Sequence, residues 1–410
     1  MLKPGLAPMR GRDPHERGRA STPLELLFDL TFAIAFATAA EHLAELVAHG
    51  HAAAGLTAFS FAMFATCWAW VNFSWFASAY DTDDWAFRLA TMVQMVGVLI
   101  LALGLPRMFA SIEAGARPDN AVMVAGYVIM RVALVGQWLR AAWQDEARRR
   151  AALTYAAGII AVQAGWVALV FLPLAVAPLA ALMALFIVAE MVTPWIAEAR
   201  GGGTPWHAHH IAERYSLLAI IALGEGLAGA VAAIAAVVAR QGWSADAVLV
   251  SIAGAGLTFG LWWVYFMVPS APVLHAHRGK AFGWGYGHMV IFAAIAATGA
   301  GLRVTAAYVA REAAIGPVGA VLAVAIPVAT YLAAIYALYA WLMRRGDALH
   351  VGLLAGTAGL LAAAVALAAA GVGLPACLLV LTAAPLVTVV GYELAGRQRQ
   401  ARALAEVVGE

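Results

Sequence analysis

Charge is scarce in this chain. Of its 410 residues, 25 are Lys or Arg and 23 are Asp or Glu, 12% in all, while 64% are hydrophobic. A soluble domain carries about a quarter of its residues as charges, so the composition argues against a water-soluble fold and for a polytopic membrane protein. Cysteine is scarcer still. Cys67 and Cys377 lie inside apolar runs without a CxxC neighbour, which argues against a disulfide framework and a cysteine metal site. The net charge is only +2 and no Lys/Arg stripe interleaves with aromatics, so nucleic acid is not an expected partner. The expected partners are the bilayer and an unidentified small solute or ion. No cofactor is expected.

What the chain has is apolar runs. Those long enough to cross ~30 Å at 1.5 Å per residue fall at about 22–48, 55–79, 87–111, 120–143, 152–172, 175–198, 209–239, 246–268, 284–308, 316–343, 350–371 and 374–395. The fold class is therefore all-α, with about twelve transmembrane helices. The first run is too long for a signal-peptide core, so it reads as a first span preceded by a basic, loop-like segment at 1–21. With that segment inside, cytoplasmic stretches collect 18 Lys/Arg and the other face five: Arg107, Arg117, Arg240, Arg303 and Arg311. This asymmetry predicts both termini in the cytoplasm.

An internal duplication is also expected. Glu25 matches Glu213, Trp70 matches Trp263, and Gln94 falls opposite His288, at offsets of 188, 193 and 194 residues. Two six-helix repeats, 22–200 and 209–395, would then share one orientation. A Gly-rich linker at 201–208, expected to be flexible, joins them, and a tail at 396–410 follows.

Acids inside the apolar runs mark the candidate sites, because a carboxylate at bilayer depth costs roughly 3 kcal/mol unless it is paired or wet. Glu25 and Asp29 are four residues apart and share a helix face. Glu25, close behind Ser21-Thr22-Pro23, also fits a helix-start acid, whereas Asp29 lies two turns in. Arg214 is their expected cation, beside Glu213, and Arg131 and Glu190 are further intramembrane charges. All of these fit either a static ion-pair network or a coupling site. Glu225 stands between Gly224 and Gly226 near the middle of its span, where a coupling acid or a neutral hydrogen-bonded Glu would sit. His288 reads as a proton relay or a helix-to-helix hydrogen bond. Trp70, Trp263 and Tyr265 are candidate cavity-lining aromatics, with packing as the alternative. His207, His209 and His210 cluster near Glu213 but lack a second ligand pair at fixed spacing, so no metal site is assigned. Asp81, Asp83 and Asp84 read as a solvated turn.

Two stretches resemble a known family. Pro23-Leu24-Glu25-Leu26-Leu27-Phe28-Asp29 carries an E-x-x-F-D core, and Glu213-Arg214 followed by Gly224-Glu225 carries E-R and G-E. Both are similar to the bacterial low temperature requirement protein A family, and the likeness covers nearly the whole chain. One departure is Gly226, where the resemblance leads one to expect a hydroxyl residue. The resemblance implies a multi-pass protein of the bacterial inner membrane connected with growth in the cold, and little chemistry. Three functions stay open. The preferred one is a secondary transporter or solute permeation protein, proton-coupled through the intramembrane carboxylates. A membrane-embedded lipid-modifying enzyme is the first alternative, although no DDxxD, Ser/His/Asp set or single-helix HxxxH is present. A structural or signalling protein held together by buried ion pairs is the second. No catalytic residue is assigned.

Overall fold

Among the described residues, twelve helices are long and apolar enough to cross a membrane, with mean hydropathy between 1.4 and 2.2 in their most apolar windows. The computed structural model describes residues 5–200, 202–344 and 348–409. Six helices precede the Gly-rich stretch: α1 (Pro23–Ala48), α2 (Ala52–Tyr80), α3 (Trp85–Glu113), α4 (Ala121–Gln144), α5 (Arg149–Phe171) and α6 (Val176–Glu198). After it come α7 (Ala208–Gln241), α8 (Ala245–Phe266), the short α9 (Ser270–Ala276), α10 (Ala281–Ala310), α11 (Pro317–Met343), α12 (Ala348–Ala369), α13 (Leu374–Gly391) and α14 (Arg397–Val408). Each expected span coincides with a long helix, and no strand occurs among the described residues.

Local chemistry sets the boundaries. Asp84 caps α3 by accepting from the Phe87 amide at 2.9 Å, and Ser244 caps α8. Thr22 and Glu25 form a reciprocal capping box at the start of α1: the Thr22 amide donates to Glu25 Oε2 at 2.8 Å, and the Glu25 amide to Thr22 Oγ1 at 3.3 Å. Arg311 and Arg344 take left-handed backbone conformations where α10 and α11 end.

The chain forms two compact units. The first comprises Met1–Thr38 and Phe64–Arg214, and the second Ala39–Met63 and Tyr215–Glu410. In the first, α3 and α4 approach closely because Gly97 of one lies against Gly126 and Met130 of the other. In the second, α10 is the most enclosed span, with 72% of its apolar window buried. Gly229 of α7 and Gly299 of α10 pack there backbone to backbone, and Gly301 lies against Ala323 of α11.

Two expectations about the polar segments need correction, the solvated acidic turn and the flexible linker. The basic N-terminal segment is loop-like, as expected, and it is pinned: the Met9 amide donates to Gln144 Oε1 at 2.6 Å, the Gly11 amide to Asp145 Oδ2 at 3.2 Å and the Arg12 amide to Ala79 O at 2.9 Å. Asp81 and Asp84 are buried, not solvated, because Arg19 and Arg140 stand against them. Residues 204–207 are buried as well: Thr204 donates to Glu198, and Trp206 packs at a tilt against Trp75 with ring centroids 4.9 Å apart. Gly201 lies outside the described residues. The tail is mostly helical, as α14.

Candidate functional site

The first turns of α1 and α7 bring Glu25, Asp29 and Arg214 together within the first unit. The Arg214 guanidinium donates through Nε and Nη2 to Asp29, at 3.2 and 2.5 Å, and through Nη1 to Glu25 Oε1 at 2.8 Å. A two-pronged guanidinium–carboxylate contact is the strongest geometry such a pair can adopt. Trp70 of α2 donates its indole N–H to Asp29 Oδ1 at 2.6 Å, and the guanidinium lies 5.6 Å from the Trp70 ring and 5.8 Å from Phe73. His210 approaches Glu25 through Nε2 at 3.2 Å. The Glu25, Asp29 and Arg214 side chains are all 0% exposed. Trp70, offered by the sequence as a cavity wall, is thus a hydrogen-bond donor to a buried acid.

The other histidine of this turn has a structural task. His207 precedes α7 and accepts the His210 amide at Nδ1, 3.2 Å away, which makes its Nε2 the donor to the Glu16 carbonyl at 2.9 Å. Both ring nitrogens are therefore committed, and desolvation lowers the pKa of this imidazole. Glu213 stands apart from the charge cluster, near the Ser21 amide at 3.4 Å.

Two further intramembrane charges of the first unit also meet. Arg131 of α4 donates to Glu190 Oε2 of α6 at 3.0 Å, and Trp68 of α2 donates to the same oxygen at 2.8 Å.

Glu225 has a different setting, in the second unit. It is near the middle of α7, and its partner is Arg303 of α10, with Nη2 at 3.2 Å from Oε2. Its side chain is 11% exposed and that of Arg303 29%. The Arg303 Nε is buried with no hydrogen-bond partner among the described residues, and Glu41 lies within electrostatic reach of Glu225. The flanking glycines are not equivalent. A Cβ at Gly224 would meet nothing within 4 Å, whereas one at Gly226 would meet Thr258 Oγ1 of α8 at 2.7 Å. That Thr258 hydroxyl donates to the Gly254 carbonyl of its own helix at 3.0 Å. Arg303, which the sequence places on the outer face, lies inside α10. The missed signal was the need of a mid-span acid for a cation.

The hydrogen bond of His288 runs within its own helix. Its Nδ1 donates to the Trp284 carbonyl one turn back, at 2.8 Å, and its ring lies among Tyr215, Tyr265, Trp284 and Phe292. Tyr265 thus lines the histidine's aromatic nest, while Trp263 is 46% exposed on α8.

The family model of the bacterial low temperature requirement A protein (LtrA) matches residues 20–385. No curated protein and no solved structure matches the chain. With that match running from the cap of α1 into α13, across both acid-bearing motifs, this multi-pass chain belongs to the LtrA family.

Proposed function

We propose that the protein is a secondary transporter or solute-permeation protein of the bacterial inner membrane, with Glu225 as its proton-coupling carboxylate and Arg303 as the counter-charge. One observation carries this: compared with the intramembrane acids Glu25, Asp29 and Glu190, whose side chains are 0–4% exposed, Glu225 is 11% exposed, pairs with Arg303 and stands beside open space at Gly224. Protonation of Glu225 would release Arg303, whose Nε already has unused bonding capacity, to a second partner. Glu25, Asp29 and Arg214 take the other role in this reading, that of a sealed lock between helix starts.

The proposal includes both termini in the cytoplasm, supported by the basic-residue asymmetry, and two parallel six-helix repeats. Recurring contacts favour the repeats. Tyr127 of α4 donates to the Ala65 carbonyl of α2, and Tyr331 of α11 to the Leu261 carbonyl of α8. Trp138 stacks on Tyr155 between α4 and α5 much as Tyr339 stacks on His350 between α11 and α12.

The test is proton movement in proteoliposomes carrying a lumenal pH dye, across a panel of ions and small solutes, at low and ordinary temperature. The parent should acidify or alkalinise the lumen with at least one solute. Glu225→Gln should abolish that coupling while inserting and folding normally. Full coupling in the Gln variant would refute the assignment.

A further inference from the structure

We propose that the first unit contains an internal binding site for a small uncharged solute of the amide or polyol class, centred on Arg131, Gln163 and Glu190. This names a solute class for the transport reading and rests on that reading for its physiological meaning, but the site stands on its own geometry.

Helix registers put the three residues at one depth. Gly158 of α5 lies against Thr193 of α6 and Gly165 against Phe186, so Gln163 stands about two residues, ~3 Å, from the level of Glu190. The stack of Trp138 on Tyr155, centroids 4.1 Å apart, sets the α4–α5 register and puts Arg131 at the depth of Val162 and Gln163. The Arg131–Glu190 ion pair and the Trp68 bond tie α2, α4 and α6 together at that same level.

This layer has bonding capacity that the protein does not fill. Arg131, Glu190 and Gln163 are 3%, 3% and 8% exposed. Even so, Arg131 Nε, Glu190 Oε1 and both polar atoms of the Gln163 amide have no hydrogen-bond partner among the described residues. Thr66 Oγ1, two residues before Trp68, is likewise buried and unbonded. The pattern continues about 9 Å along α2 and α4, where Ser74 Oγ and Gln137 Nε2 are also unbonded while Gln94 donates to Gln137 Oε1 at 2.9 Å. Leaving a buried donor or acceptor unmade is costly, because the desolvation of the group is not repaid. A run of them on four helices calls for partners from outside the chain, ordered water or a polar guest.

The charge balance selects the guest. Arg131 and Glu190 neutralise each other, so a charged solute would bring an uncompensated charge into low dielectric. A hydrocarbon would leave every one of these groups unpaired. A molecule with adjacent donors and acceptors can take the Arg131 N–H, give to Glu190 Oε1 and pair edge to edge with the Gln163 amide. The Trp68 and Tyr127 polar atoms are already engaged, with Glu190 and the Ala65 carbonyl, so their rings add apolar surface only.

The test is saturation-transfer NMR on the full chain in detergent micelles, with acetamide and glycerol as probes and with glycine and sodium chloride as charged competitors. Saturable transfer to acetamide or glycerol is expected, unaffected by the competitors. In Gln163→Leu it should fall at least tenfold, although the variant melts no lower than the parent because orphaned polar atoms are replaced by an apolar side chain. Thr66→Val should weaken transfer several-fold and serves if Gln163→Leu does not fold. No saturable transfer, displacement by glycine or salt, or unchanged transfer in a folded variant would overturn the site. Binding without flux in proteoliposomes would leave the site standing and remove the transport reading; flux without binding would do the reverse.

Discussion

Arg214 is the residue on which the first unit's interior most depends. Its guanidinium is enclosed and meets two carboxylates at once, so removing one acid strands charge in a low dielectric. Asp29→Asn should lower stability by about 3 kcal/mol, read as a fall in the detergent melting temperature. Arg214→Lys should also destabilise, because an ammonium cannot reproduce the two-pronged contact with Asp29. Unchanged melting in either variant would show that the cluster is not a lock. Asp81, at the end of α2, gives a pH-dependent counterpart. Burial, with the Glu25 charge second, pushes its carboxyl up to about 6, against the opposing pull of Arg19. A carboxyl raised above its unfolded value contributes stability that is complete at low pH and lost as pH rises through the folded value. Asp81→Asn, which mimics the protonated form, should therefore gain on the parent as pH goes from about 4 to above 6. A stability difference that is flat over this window, or that moves against the variant, would contradict the assignment.

Helices carry the second kind of dependence, through glycine. Gly299 of α10 faces the Glu225 backbone of α7, where a Cβ would stand 2.5 Å from the carbonyl carbon, whereas Gly224 faces open space. Gly299→Ala should force α7 and α10 apart and lower the melting temperature. Gly224→Ala should be neutral or stabilising by up to about 1 kcal/mol, since alanine favours a helix. Melting curves that rank these two variants the other way would contradict the close approach. The spans themselves were legible in the sequence because hydropathy and helix length are local properties, and the pairing of Arg214 with Glu25 and Asp29 was legible from charge economy. Other features were hidden for physical reasons. Nothing local says that Met9, Gly11 and Arg12 donate backbone amides to Gln144, Asp145 and Ala79. Such bonds join segments far apart in sequence. The pairing of Arg303 with Glu225 was hidden because Arg303 lies near the end of its expected span, where a charge reads as interfacial, and nothing local says that α7 packs against that part of α10. Trp70 was read as a cavity wall because its ring dominates its size, although a buried indole N–H also needs an acceptor.

For the whole molecule, the basic-residue asymmetry and the contrast among its buried acids are the two claims open to direct challenge. Tags placed before residue 1 and after residue 410 should both resist a membrane-impermeant label in intact cells, and labelling of either would refute the proposed orientation. The contrast among acids is the more central claim, since it separates a coupling carboxylate from a structural lock. A hydrophobic carbodiimide adds to protonated carboxyl groups that it can reach from the bilayer and leaves a stable acylurea. Peptide mass spectrometry on the treated protein in native membranes locates the adduct without knowledge of the solute. The account predicts modification at Glu225, lost in Glu225→Gln, with Glu25 and Asp29 unmodified. Modification at Glu25 or Asp29 with Glu225 untouched would contradict it.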